Sequence, residues 1–296
     1  MNGNHNIKGF TYAFVSSIGF GIMPIFVKDA LDQGVDVFNI LLLRVLIASI
    51  VLYAFIKIKK LSLKISKRQL LDVIMLGFIG YFMTTFLLFI SYTYISIGLA
   101  TTLHFTYAAF VSLIMVIIFK EKFSTQKIIA VVLSLLGVCV LVLDSHIHIN
   151  FLGAFLALVT GLTYAIYMVG IAKSKANTLN SIVFIFYVLL VSSVLLLIHG
   201  LISDKIVIPS STRSIIDIFG LTFLSTLMAC ILLFKAVKII GASSAAILST
   251  LEPLVSICAG SLLLGEELHM SIIIGALMII TSVILVSIQK KQKYMK

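Results

Sequence analysis

The chain contains no tryptophan, and among its 296 residues only 3 cysteines, 3 prolines and 11 acidic residues. Without tryptophan, any aromatic belt at a membrane interface must be built from tyrosine and phenylalanine. Cys139, Cys230 and Cys258 lie inside apolar runs with no CxxC spacing, which excludes a disulfide framework or zinc site and makes them read as small core residues. Charged residues make up 11% of the chain against 61% apolar, and mean hydropathy is +1.21. A soluble domain of this length cannot cover its surface with so little charge, so lipid must be the outer solvent. No GxxxxGK[ST] is present, which excludes ATP hydrolysis by the P-loop route; nor is there an HExxH or a serine nucleophile with a recognisable base. No cofactor is expected. His146 and His148 alone make a poor metal site.

What is abundant is long apolar runs. A helix crosses the hydrocarbon core with roughly 20 apolar residues, and the runs are too long for barrel strands. The expected fold class is an all-α polytopic membrane protein of ten transmembrane helices, over about 9–28, 37–56, 70–94, 98–119, 127–143, 151–171, 180–200, 214–237, 241–264 and 271–289. The first run ends in Pro24 and Lys28 without a small-residue cleavage site, so it reads as a retained helix rather than a signal peptide.

A net charge of +11 raises the question of nucleic acid. The positions of the charges answer it. With the N-terminus inside, cytoplasmic segments hold 18 of the 22 basic residues, the outer side holds Lys28, Lys205 and Arg213, and Arg44 lies within a span. That asymmetry is a positive-inside signal. The basic excess faces anionic lipid, which leaves no need for a nucleic-acid partner, and both termini are expected in the cytoplasm.

The two halves match at an offset near 145. Leu71-Asp72-Val73 answers Ile216-Asp217-Ile218, Phe78 and Met83 answer Phe223 and Met228, and Glu121 answers Glu266. Five spans is an odd number, so the second half must enter the membrane from the opposite side. The expected domains are repeat one over 9–143, an inverted repeat two over 151–288, and a basic tail over 289–296. Inverted repeats are typical of secondary transporters, with the site near the midplane.

At this point the chain resembles an EamA-type member of the drug/metabolite transporter superfamily over about 9–288. The resemblance is carried by Gly21, Pro24 and Lys28 closing the first helix, and by Arg44 in the second. Pro253 and Glu266 in EPLVSICAGSLLLGEEL carry it too, as do Glu121 in FKEKF and the glycines Gly137 and Gly275. Ala108 stands where proline would be expected. The resemblance implies a carrier of amino acids, related metabolites or drugs, often an exporter. Its site would lie between spans one, three, four, six, eight and nine. The expected function is alternating-access transport of a small polar metabolite across a bacterial cytoplasmic membrane, driven by the solute's own gradient, an exchanged solute or an ion such as a proton; a homodimer is compatible with this. The alternatives are a drug or toxic-compound efflux carrier of the same fold and, further off, an intramembrane enzyme or a channel.

Glu252 lies about eleven residues into span nine, where an ionised carboxylate costs roughly 2.5–3.5 kcal/mol even on the lenient insertion scale. It is a candidate for substrate or proton handling, against the bland reading of helix-to-helix glue. The offset places Tyr107 opposite Glu252 and His104 opposite Ser249, adding three candidates. His104 reads equally as a packed histidine. Tyr81 of span three and Tyr164 of span six are candidate cavity-lining residues, with ordinary packing as the alternative. Arg44 either braces the bundle or pairs with a carboxylate, Glu252 being a candidate partner. Gly21, Pro24 and Pro253 mark expected kinks or gates. Asp72 and Asp217 read as structural, placed where a helix dipole favours negative charge, and Glu121, Glu266 and Glu267 as anchors of helix ends.

Overall fold

Inside a bilayer every backbone N–H and C=O must find its partner within the protein, which favours the helix wherever the apolar runs extend. A computed structural model describes residues 2–95, 97–122, 124–141, 150–264 and 270–293. Among these residues there are helices and turns and no strand. Helix α1 (Asn2–Gly21) is followed by α2 (Met23–Asp32) and α3 (Val37–Ile58). Next, α4 (Lys67–Met75) passes through a π-helical segment, Leu76–Met83, into α5 (Thr84–Ser91). Two short helices, α6 (Ile97–His104) and α7 (Tyr107–Ile117), precede α8 (Thr125–Leu141). The second half holds α9 (Phe151–Lys173), α10 (Ser181–Ile202), α11 (Thr212–Gly220), a second π segment at Leu221–Met228, and α12 (Ala229–Ile240). It ends with α13 (Ala242–Ser249), α14 (Glu252–Leu264) and α15 (Met270–Lys293).

Eight of these stretches, joined across their kinks, are long and apolar enough to cross a membrane, and Thr125–Val140 and Ile273–Leu285 are shorter apolar helices. Every stretch coincides with an expected run, to within a few residues. Large apolar side chains such as Ile50, Leu113, Ile198 and Leu277 stand exposed on the outside of the bundle. In water that surface would be an aggregation hazard; in a bilayer it faces lipid tails. Cys139 and Cys258 share this exposed surface and only Cys230 is buried, which corrects the reading of all three as core.

Polar residues set the helix starts. Asp36 accepts from Phe38 N, and Asn180, 144 residues later, accepts from Ile182 N. Such a cap contributes about 1 kcal/mol. Gly241 adopts φ +79°, which lets α12 turn into α13 with one intervening residue. The spans of α4 and α11 begin at Lys67 and Thr212, so Asp72 and Asp217 lie beyond the first turn. The helix dipole therefore does not account for them. Asp72 accepts from Ala176 N at 3.2 Å and Asp217 from Gln33 Nε2 at 3.1 Å.

Element boundaries recur along the chain. The π segments start at Leu76 and Leu221, and the short helices break after His104 and Ser249, in each case 145 residues apart. Packing is reciprocal as well: α1 lies against α12, α13 and α14, while α9 lies against α5, α6 and α7. The α3 and α10 helices pack on each other, and there Ser49 meets Ser193, 144 residues on, with hydroxyls 3.3 Å apart.

Close approach between helices depends on small residues. At Gly80, in the first π segment, a Cβ would fall 2.5 Å from Tyr167 Cβ and within 3 Å of its ring. Gly80→Ala is expected to lower stability by about 1–3 kcal/mol through overpacking, read as a lower melting temperature in detergent. An unchanged melting temperature would show that the Tyr167 contact is not maintained.

Candidate functional site

Three of the helical stretches are interrupted in mid-course, and the interruptions cluster. Between α6 and α7 stand Phe105 and Thr106; between α13 and α14 stand Thr250 and Leu251. The cause is local. Thr106 Oγ1 donates to Leu103 O and Thr250 Oγ1 to Ile247 O, both at 2.6 Å. The backbone follows with tighter i→i+3 bonds, Thr106 N to Leu103 O and Thr250 N to Ile247 O, both 3.2 Å. Such threonine back-bonds compete with the α ladder. In the second junction Pro253 removes a further N–H. In the first, Ala108 occupies the corresponding place and the helix still breaks, so proline is not required.

The third interruption is in the first stretch, at Ile22, with Pro24 within the first turn of α2. Gly21 brings this break directly onto the start of α14. A Cβ there would lie 2.5 Å from Val255 Cβ and 2.7 Å from Glu252 O, and Ser256 Oγ donates to Gly21 O at 2.7 Å. Ser16 Oγ adds a bond to Ala229 O at 2.9 Å. All three expected kink residues, Gly21, Pro24 and Pro253, sit at these breaks. The counterpart of the first stretch, α9, runs unbroken through Tyr164 and Tyr167.

Tyr107 and Glu252 are the first residues of α7 and α14, and Ser249 is the last of α13. Ser249 neighbours both Tyr107 and Glu252, and the Glu252 carboxyl lies within electrostatic reach of Tyr107 and Tyr164. The Tyr107 hydroxyl, Ser249 Oγ and Glu252 Oε1 are buried with no hydrogen bond of good geometry, and Ser249, the polar neighbour of both, is their only polar contact of longer reach among the described residues. Unmade bonds in such a place are costly, and three of them fall together here.

Aromatic rings wall this spot. Tyr107 and Tyr164 meet edge-on at 4.8 Å between centroids, and His104 lies 5.3 Å from each. The wall continues from Tyr164 to Tyr167 at 5.8 Å and to Tyr81 at 6.4 Å. His104 Nδ1 is 2.9 Å from Thr160 Oγ1. Thr160 gives its own proton to Ala157 O at 2.6 Å, so the Nδ1 of His104 must be the donor. Five of the expected candidates (Glu252, Tyr107, His104, Ser249 and Tyr164) therefore converge, with Tyr81 at the far end of the same wall.

Arg44 is elsewhere. It forms no ion pair with Glu252; its Nη1 donates to Met23 Sδ at 2.8 Å, and its guanidinium stands 5.9 Å from the centroid of Phe89. The structure thus separates the suggested pair. Cys230, read from the sequence as mere filling, lies within the field of both Arg44 and Glu252. No pattern in the sequence marks it. Glu121 does anchor a helix end, through Lys127 Nζ at 2.7 Å; Glu266, Glu267, His146 and His148 lie outside the described residues.

Polar contacts tie helices together at both ends of the bundle. At the end bearing the α2–α3 turn, Arg213 binds Asp29 with Nε–Oδ2 2.8 Å and Nη2–Oδ1 2.7 Å, and Gln33 accepts from Ser211 and Ser214. A cavity of about 220 Å³ lies beside it, lined by Gln33, Asp36, Asn39 and Ser214 among others. At the opposite end Gln69 Nε2 donates to Thr178 Oγ1 at 2.9 Å. A cavity of about 300 Å³ opens there beside Tyr12, Asn180, Lys235 and Lys238.

An apolar-faced helical bundle with interrupted helices meeting around buried, unpartnered polar groups is a multi-pass membrane protein built like a transporter. The family follows from comparison: the EamA-like transporter family matches residues 7–143 and again 151–288, and the chain belongs to it. It is 24% identical over 302 residues to an uncharacterized transporter of Clostridium kluyveri, covering 98% of this chain and 96% of that one. It is 30% identical over 175 residues to the uncharacterized transporter YvbV of Bacillus subtilis, covering 58% and 56%. A solved crystal structure shares the fold with a TM-score of 0.82 at 15% identity, over 99% of each chain.

The hydrogen bonds separate bracing groups from those without a bond of good geometry. Thr160→Val strips the acceptor from His104 and is expected to cost about 1–3 kcal/mol, whereas Tyr107→Phe removes an unpartnered hydroxyl and should leave stability unchanged or slightly raised. Melting temperatures of the two purified variants decide the matter. A large loss in Tyr107→Phe would make that hydroxyl structural.

Proposed function

We propose that this transporter is a secondary carrier that moves a small polar metabolite, an amino acid or related compound, by alternating access around the junction of α6–α7 with α13–α14. The observation that carries the reading is the set of buried, unpartnered groups on Glu252, Tyr107 and Ser249 at that junction. Discontinuous helices in membrane carriers present such groups and free backbone ends to a solute near the midplane. Glu252 handles either the solute or a coupling proton, since burying a lone carboxylate in lipid is otherwise a standing cost.

The architecture proposed to carry this motion is ten membrane helices in two inverted five-helix repeats, 9–143 and 151–288, with both termini on the cytoplasmic side. The recurring element boundaries, the reciprocal packing of α1 and α9, and the meeting of Ser49 with Ser193 support it. A residue meets its own counterpart only on a symmetry axis. The end ties fit the same scheme. One joins α2 to α11 and the other joins α4 to the turn after α9, which are corresponding places in the two halves. Opening one tie while keeping the other exposes the junction to one side at a time. The positive-inside asymmetry supports a cytoplasmic side for the Lys235 and Lys238 cavity.

In liposomes with an imposed pH gradient, Glu252→Gln is expected to abolish proton-driven accumulation, by at least about tenfold, while the variant still folds and elutes normally. Accumulation that keeps its full dependence on the gradient would contradict a coupling role.

A further inference from the structure

Arg44 lies seven residues into α3, roughly 10 Å below that end of the helix at 1.5 Å per residue. It is 3% exposed. Its one hydrogen bond is to a thioether, Met23 Sδ, which is a weak acceptor, and its Nε is buried with no acceptor at all. Among the described residues no carboxylate pairs with it: Asp29 is taken by Arg213 and Glu121 by Lys127. The groups that share its field are Tyr81, Tyr92 and Cys230. A guanidinium cannot shed its charge, and the ring of Phe89 supplies far less than the loss of hydration costs. The charge is therefore held in place without its counterpart.

Tyr81 lies within the field of Arg44, and from it the aromatic wall runs through Tyr167 and Tyr164 to the reach of Glu252, with Cys230 in the field of both Arg44 and Glu252. We infer that Arg44 is the anchor for an anionic group of the carried solute, and that this group is a carboxylate. The inference rests on the carrier reading above and narrows its substrate class. The planar fork of the guanidinium matches two carboxylate oxygens, using the Nε that lacks a partner. A phosphate monoester would bring about two negative charges to a single cation, leaving one uncompensated in a low-dielectric site.

The test uses the purified full chain with a series of free amino acids and 2-oxo acids, each matched with its primary amide, plus a phosphate ester of comparable size. Thermal stabilisation reports binding, and counterflow in liposomes reports transport. At least one acid should raise the melting temperature, with its amide about thirtyfold weaker or more, as expected for loss of one partner of a buried charge pair. Arg44→Gln should erase the response, and Arg44→Lys, which keeps the charge and loses the fork, should retain only part of it. The comparison of acid with amide on the unaltered protein stands even if the variants fail to fold. Amides that stabilise as well as acids, a response confined to the phosphate ester, or no response to any acid would each overturn the anchor. An acid that binds through Arg44 but is never exchanged across the liposome membrane supports the anchor and contradicts the carrier reading.

Discussion

Lipid offers no hydrogen bonds, so a polar group at mid-depth must be paired, hydrated or recruited for function. This constraint organises the molecule. Most hydroxyls in the bundle obey it by bonding a carbonyl one turn back: Ser17, Thr85, Ser112, Ser193 and Thr222 all do so. Glu252, Tyr107 and Ser249 do not, nor do the single hydroxyls of Ser174, Ser225 and Ser243. The first three occur where two helices stop and restart, so the backbone there has freed N–H and C=O groups as well. Three of those unpartnered atoms thus fall at the one place where the proposed solute site lies.

The packing around the junction is uneven in a way that suits motion. The break in the first stretch at Ile22 presses Gly21 against Glu252 O, whereas its counterpart α9 passes the corresponding place as an unbroken helix. One side of the junction thus rests on a broken helix and the other on a continuous one. The ties at the two ends differ in the same spirit. One combines an ion pair with a glutamine accepting from two serines, and the other depends on Gln69, Thr178 and the Asp72 carboxylate. An exposed ion pair contributes little energy, so neither closure is strong. Weak ties are compatible with the alternating access proposed above, in which each would open in turn.

Much of this was legible in the sequence because the bilayer imposes a single dominant rule. Apolar runs of the right length gave the helices, and the offset near 145 paired Tyr107 with Glu252 and His104 with Ser249 before any coordinates. The rest depended on interactions with no local signature. The break before Ala108 comes from a threonine back-bond rather than a proline, and threonine occurs in unbroken helices too. The π segments at Leu76 and Leu221 carry no composition signal. Asp72 and Asp217 are structural as expected, but through hydrogen bonds rather than the helix dipole, because the helices start earlier than hydropathy indicates, on the polar residues Lys67 and Thr212. Cys230 and Met23 became notable only when the fold set them beside Arg44, and that same fold kept Arg44 away from Glu252.

The central claim is that the Glu252 junction is reached by water from each side of the membrane in turn. The most direct test places a single cysteine at Ser249 in a chain freed of its three native cysteines, in sealed vesicles of both orientations. A small water-soluble methanethiosulfonate should label it from either face, with rates that shift oppositely when one end tie is cut. A Ser249 position inert from both faces, while an exposed control at Tyr94 reacts, would mean the junction is dry packing and the carrier account is wrong.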